Sequence, residues 1–119
     1  MEIRLHNVTA GYGRQAVASG LDACLQQGEL VCLLGANGAG KSTLLRTIGG
    51  VQPALGGQVL VDGEPIGVAG TGRMSRLVSV VLTERIDVPA LTVRDLVGMG
   101  RTPYTGFWGN LRASDRHIV

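Results

Sequence analysis

Nine consecutive residues, Gly35-Ala36-Asn37-Gly38-Ala39-Gly40-Lys41-Ser42-Thr43, contain the spacing G-x-x-x-x-G-K-[ST]. The chemistry of that spacing is anion binding. Gly35, Gly38 and Gly40 admit backbone conformations closed to other residues and let N–H groups approach an anion closely. A helix starting near Lys41 would aim its N-terminal partial positive charge at the same point. Lys41 adds a full charge suited to terminal phosphates, and Ser42 a hydroxyl suited to magnesium. Lys41 is the only lysine in the chain, every other cationic side chain being arginine. The pattern points to a site for nucleotide phosphates.

Such a loop works only between a strand and a helix. Leu30-Val31-Cys32-Leu33-Leu34 is apolar throughout and reads as a strand buried on both faces. After the loop, Leu44, Leu45, Ile48 and Val51 define one helical face. Gly49-Gly50 stops that helix and Pro53 prevents its restart. Upstream, Glu2 to Ala10 alternates as a strand, with Ile3, Leu5 and Asn7 on one side and Arg4 and His6 on the other. Gly11 to Arg14 reads as a turn, and Leu21 to Gln26 as a second half-buried strand. Asp62-Gly63 between Gln58-Val61 and Glu64-Ile66 is a hairpin signal.

Arg73 to Arg76 suits one helical turn, and Leu77 to Leu82 a second continuous buried strand. Thr83 to Ala90 reads as a loop. Thr92-Val93-Arg94-Asp95 has capping-box spacing and opens a helix to about Gly100. Pro103 to Gly109 is an aromatic-rich loop, and Ser114-Asp115-Arg116 starts another helix. The pattern is α/β, with residues 1–90 as a nucleotide-binding core and 91–119 as the start of a helical subdomain.

Bulk properties narrow the class. The chain has 119 residues and a net charge of +2, with acids and bases scattered. No basic stripe points to nucleic acid and no polybasic arm to a membrane surface. Cys24 and Cys32 lie in apolar segments without histidines at metal-ligand spacing and read as buried small residues. No leader-like apolar segment follows Met1 and no run has membrane-spanning length, so the reading is cytosolic or membrane-peripheral. Two strands that need helices on both faces, one core helix before residue 90 and a last helix that ends as it begins predict a chain cut within a domain. Apolar sheet surface left exposed by such a cut would drive self-association.

At this point the residues resemble the ATPase subunits of ATP-binding cassette (ABC) transporters. The resemblance runs from Gly11-Tyr12-Gly13, through Gly28-Glu29-Leu30 and the loop with its Asn37-Gly38 pair and Thr43-Leu44-Leu45, to Gly56-Gly57-Gln58-Val59, Asp62-Gly63 and the strand ending at Leu82. Leu91 to Val97 followed by Gly100-Arg101-Thr102-Pro103-Tyr104 looks like the iron-siderophore, haem and cobalamin importer group. The resemblance implies a P-loop NTPase fold of ABC ATPase type, with N-terminal antiparallel strands plus parallel core strands, incomplete at the C-terminus.

It further implies that Tyr12 stacks on adenine, a role its flat face in a turn would suit. Lys41 would bridge the β and γ phosphates of ATP, Ser42 would hold Mg2+, and Thr43 would bond the α-phosphate, with the amides of Gly38 to Lys41 completing the cradle. Implied partners are a membrane-spanning permease subunit and a second ATPase subunit in a homodimer, with no nucleic acid. The implied place is the cytoplasmic face of the inner membrane, as a peripheral subunit.

Two departures stand out. Where the family usually has a glutamine reaching magnesium and the attacking water, this chain has Thr83. Its side chain is about two bonds shorter, leaving open a sensing role and that of an ordinary loop residue. Glu84 beside it would point the other way from a strand. The signature loop, the second acidic motif with its catalytic glutamate and the switch histidine have no counterpart before Val119, and neither His6 nor His117 is placed as the switch. The chain alone is therefore expected to bind ATP without turning it over. Tyr104, Phe107 and Trp108 could form a surface for the permease or pack a small helical subdomain. A non-transport ABC ATPase and another P-loop enzyme, such as a small-molecule kinase, are the rival readings.

Overall fold

The computed structural model describes residues 1–66, 74–81, 90–106 and 109–119. Thr83, Glu84, Phe107 and Trp108, with the expectations attached to them, lie outside these residues. The chain divides into two compact units, Met1–Met74 and Ser75–Val119.

The first unit is a four-stranded sheet with one helix against it. Its strands β1 (Glu2–Tyr12), β2 (Gln15–Gln26), β3 (Gly56–Val61) and β4 (Glu64–Pro65) lie in the order β2-β1-β3-β4. Every pairing described is antiparallel. The first hairpin turns tightly, because Tyr12 pairs with Gln15 across Gly13 and Arg14. Tyr12 thus ends a strand instead of sitting within a turn. β2 begins at Gln15, not Leu21, its first half being too poor in large apolar residues to show alternation. In the second hairpin Asp62 and Gly63 both take positive φ, 50° and 81°, as the two-residue turn demands. The Asp62 side chain also accepts the Glu2 N–H at 2.8 Å, tying that turn to β1.

β1 does not alternate evenly. Ile3 and Leu5 face the core, but the next inward residues are Val8 and Ala10, both fully buried, while Asn7 is exposed. Asn7 is the extra residue of a bulge. Four residues of β1, from Leu5 to Val8, oppose three of β2, from Ala23 to Leu21. β3 shows the same mismatch, with His6 to Thr9 opposing Gln58 to Gly56. Asn7 has φ 47° and its N–H donates to Asp22 Oδ1 at 2.9 Å. Gly57 takes φ 67° where a Cβ would collide with the carbonyl oxygens of His6 and Asn7. Only glycine fits there.

Helix α1 (Lys41–Ile48) buries Thr43, Leu44 and Thr47 and half-buries Ile48. Leu44 joins Leu5, Val8, Ala10 and Val59 in the core. Leu45 and Val51, expected on the same face, are exposed. The predicted strand at Leu30–Leu34 also differs. The segment carries no ladder pairing, and Leu30 and Leu34 are 94% and 87% exposed. A strand apolar on both faces forms only when neighbours pair with its edges and cover its faces, and the described residues supply neither. Cys24, on the β2 face it shares with Asp22 and Gln26, and Cys32, in this unpaired segment, are both exposed and not buried as expected.

The second unit is helical. α2 (Met74–Leu77) straddles the division in sequence, so Leu77 is helical and not the start of a strand. Residues 78–81 follow without regular structure, Val81 being 97% exposed. α3 (Val93–Met99) starts at the expected capping box: Thr92 Oγ1 accepts from the Asp95 N–H at 3.2 Å, and Asp95 Oδ2 accepts from the Thr92 N–H at 3.0 Å. A 3-10 turn (Thr102–Tyr104) and α4 (Ala113–Ile118) complete it. Arg101 Nη2 and Nε donate to Asp115 Oδ1 at 2.7 and 2.9 Å, while Oδ2 accepts the Arg112 N–H at 2.9 Å. Arg101 also lies over the Tyr104 ring, 4.1 Å from its centroid, and Arg76 lies 5.2 Å from it.

Candidate functional site

The glycine-rich loop sits at the N-terminus of α1, where unpaired helix N–H groups gather. Gly38 and Gly40 hold φ 82° and 86°, and Gly40 is the N-cap in the left-handed region. No side chain caps that end. A cleft of about 290 Å³ opens there, lined by Val17, Asn37, Gly38, Gly40, Lys41, Ser42 and Thr43. Five of the residues singled out by spacing in Gly38–Thr43, with Asn37, therefore meet in one concavity, save Ala39. Gly35, Ala36 and Ala39 belong to the same loop without lining it.

Lys41 Nζ turns back over the loop and donates to Gly35 O at 2.8 Å and Ala36 O at 2.6 Å. An ammonium carries three donors, and these two bonds hold the charge on the loop backbone at Gly35 and Ala36. Ser42 is exposed and Thr43 buried. The Thr43 carbonyl accepts from Thr47 Oγ1 at 2.9 Å. Ser42 Oγ is a hard oxygen of the kind magnesium takes, and magnesium commonly completes its shell with waters and substrate phosphates. The donor set fits such an ion as one ligand among several. Among the described residues no group of three or more His, Cys, Asp or Glu side chains could hold a metal by itself.

Val17 is the lining residue that the sequence did not single out. It comes from β2 and presses on the loop: a Cβ on Gly40 would lie 2.9 Å from Val17 Cγ2. Its segment reads as featureless because Ala16, Ala18, Ser19 and Gly20 around it give no alternation. Tyr12 is half-exposed on the same hairpin and does not line this cleft. Its hydroxyl accepts from Arg46 Nη1 of α1 at 3.2 Å.

The ABC transporter family pattern matches residues 18–117, most of the chain. The chain belongs to the ABC transporter family. Among curated ABC relatives, an uncharacterised ABC transporter ATP-binding protein of Methanocaldococcus jannaschii is 37% identical over 117 residues, 98% of this chain and 40% of that protein. The hemin import ATP-binding protein HmuV of Pseudomonas fluorescens is 42% identical over 103 residues, 86% of this chain and 40% of its own length. The chain thus spans about two fifths of these relatives' length. The dimeric structure of a bacterial ABC transporter cassette matches with a TM-score of 0.76 at 24% identity, over 98% of this chain and 53% of that one. The fold is accordingly the P-loop fold of ABC ATPase cassettes. Family membership decides against the small-molecule kinase reading. No helix among the described residues is long and apolar enough to cross a membrane.

Proposed function

We propose that this chain supplies the phosphate-holding half of an ATP site in an ABC importer subunit. The observation that carries the reading is the cleft at α1, where two left-handed glycines, Lys41 and Ser42 line one concavity at a helix N-terminus. The amides of Gly38 to Lys41 cradle the phosphates of ATP, with Gly35, Ala36 and Ala39 shaping the loop. Lys41 exchanges its two carbonyl partners for β- and γ-phosphate oxygens. Thr43 bonds the α-phosphate and Tyr12 stacks on adenine. Ser42 offers its hydroxyl to Mg2+, which when bound neutralises charge on the β and γ oxygens; Thr83 is proposed as a further contact to that ion. Residues 1–90 make up the nucleotide-binding core and 91–119 begin a helical subdomain.

In this reading the complete subunit is an ATPase that pairs with a second copy and a membrane-spanning permease at the cytoplasmic face of the inner membrane. Its cargo is an iron-siderophore, haem or cobalamin-type compound, a reading supported by the likeness to a hemin import subunit. The test is titration calorimetry with Mg-ATP and with magnesium tripolyphosphate. Lys41→Ala should weaken both by at least about tenfold, since a charge-assisted contact to phosphate is lost. Equal binding by wild type and Lys41→Ala would sink the reading. Magnesium-dependent phosphate release by the 119-residue chain alone would contradict its being half a site.

A further inference from the structure

Tyr12 ends an exposed hairpin, a place where a strand frays and a ring swings freely. Two hydrogen-bonded connections from the α1 side reach this strand end. In the first, Arg46 Nη1 donates to Tyr12 Oη at 3.2 Å, from the last turn of the helix that the glycine-rich loop opens. In the second, the Gln52 amide Nε2 donates to Gly11 O at 3.1 Å and to Thr47 Oγ1 at 3.3 Å. Thr47 Oγ1 in turn donates to Thr43 O at 2.9 Å. Thr43 and Thr47 are both buried, so this relay runs through packed structure. It starts at the last residue of the glycine-rich loop and ends on the residue next to Tyr12. The Gln15 carbonyl across the hairpin and the side chain of Leu55, whose N–H donates to Thr9 O at 2.8 Å, leave Gly11 no room for a Cβ.

We propose that Arg46 and Gln52 are positioning residues that fix the Tyr12 ring relative to the phosphate loop. This rests on the reading of Tyr12 as the adenine platform. Arg46 holds the ring by its hydroxyl, and Gln52 holds the backbone beside it. Both anchors lie on or just after α1, so base platform and phosphate cradle keep a set separation before nucleotide arrives. Such preorganisation improves affinity by removing the ordering that binding would otherwise require. The grip acts on the base and leaves the phosphate contacts untouched.

The test compares Mg-ATP with magnesium tripolyphosphate, which lacks base and sugar. Arg46→Met, Gln52→Leu and Tyr12→Phe should each weaken ATP by about 3- to 10-fold, the range expected when a hydrogen bond to Tyr12 or to the backbone beside it is lost. Tripolyphosphate binding should not change. Tyr12→Phe should add nothing further in an Arg46→Met background, since the bond it removes is already gone. Arg46→Lys, which keeps a donor, should recover most of the affinity. Equal weakening of both probes by Arg46→Met overturns the proposal, because it means damage to α1. Tyr12→Ala that weakens ATP while Arg46→Met does not also overturns it, leaving the platform intact. Tyr12→Ala that spares ATP removes the platform reading itself. Independently of nucleotide, spectra of 13C-labelled tyrosine should show the Tyr12 ring signals displaced in Arg46→Met and kept in Arg46→Lys. Unmoved signals overturn the tether even where neither probe binds.

Discussion

Residues 1–74 bury Leu5, Val8, Ala10, Leu44, Val59 and Val61, whereas the buried side chain among the described residues of 75–119 is that of Asp115. The first unit is thus held by aliphatic burial between a sheet and a helix, which is non-directional and indifferent to pH. The second is held by aimed bonds: a carboxylate shared by Arg101 and a helix N-terminus, a capping box, and arginines on Tyr104. α3 buries no residue at all. Burial tolerates small displacements of its parts, while a carboxylate with three donors fails when one proton is added. The glycine-rich loop belongs to the first kind of structure, and its helix shares the core it stands on.

Four changes would break or sharpen that contrast, each read by residue-resolved hydrogen exchange. Gly57→Ala should be the most damaging, at about 3 kcal/mol or more, because it combines a left-handed backbone with collision against the β1 carbonyls. Its effect should fall on residues 1–66 and spare α3 and α4. Val8→Ala should cost about 2 kcal/mol, the lost burial of two methyl groups plus the residual cavity. Loss of protection in α4 by either change would show that the units do not stand separately.

Acid should act in the opposite sense. The Asp115 carboxyl is held below its usual range first by the Arg112 N–H and then by Arg101. That of Asp95 is held low by the Thr92 hydroxyl and N–H. A depressed carboxylate contributes stability present above the unfolded-chain pKa of about 4 and lost as pH falls through the folded-state value. Protection in α3 and α4 should therefore fade below about pH 4, before that of β1 and β3. Glu2, the first residue of β1, is also held low, chiefly by Gln26, so fraying of residues 2 and 26 should accompany it without loss of the core. Simultaneous acid melting of Val8 and Asp115 would refute the contrast. Thr92→Ala should be mildest, removing about 1 kcal/mol of helix stability at the α3 N-cap.

What the sequence revealed was local. The Thr92–Asp95 box and the Asp62-Gly63 turn depend on residues within about one turn of each other and form as expected, and the helix expected after the glycine-rich loop starts at Lys41, although the strand expected before it does not form among the described residues. The misreadings share a different origin. Leu30–Leu34 and Val78–Val81 are apolar enough for central strands, but pairing is a property of neighbours far along the chain. Leu45 and Val51 fit a helical face by period, yet which side is covered depends on where the sheet lies. Simple alternation puts Asn7 inward because a bulge has no signature in β1 alone; Gly57, which makes room for it, is fifty residues later. Val17 escaped for a related reason, entering the cleft from a strand whose flanking residues are too small to announce one.

The bulge at Asn7 acts on more than the sheet. Alternation makes each residue of β1 a choice between two sides, and one extra residue reverses the choice for everything after it. Counted from Ile3 without interruption, Tyr12 would fall on the side away from α1. Counted through the bulge, it shares the parity of Val8 and Ala10, the side on which Leu44 and Arg46 stand. The bulge works as a half-step phase shift, and through it a ring at the strand's far end comes to face the helix instead of open water.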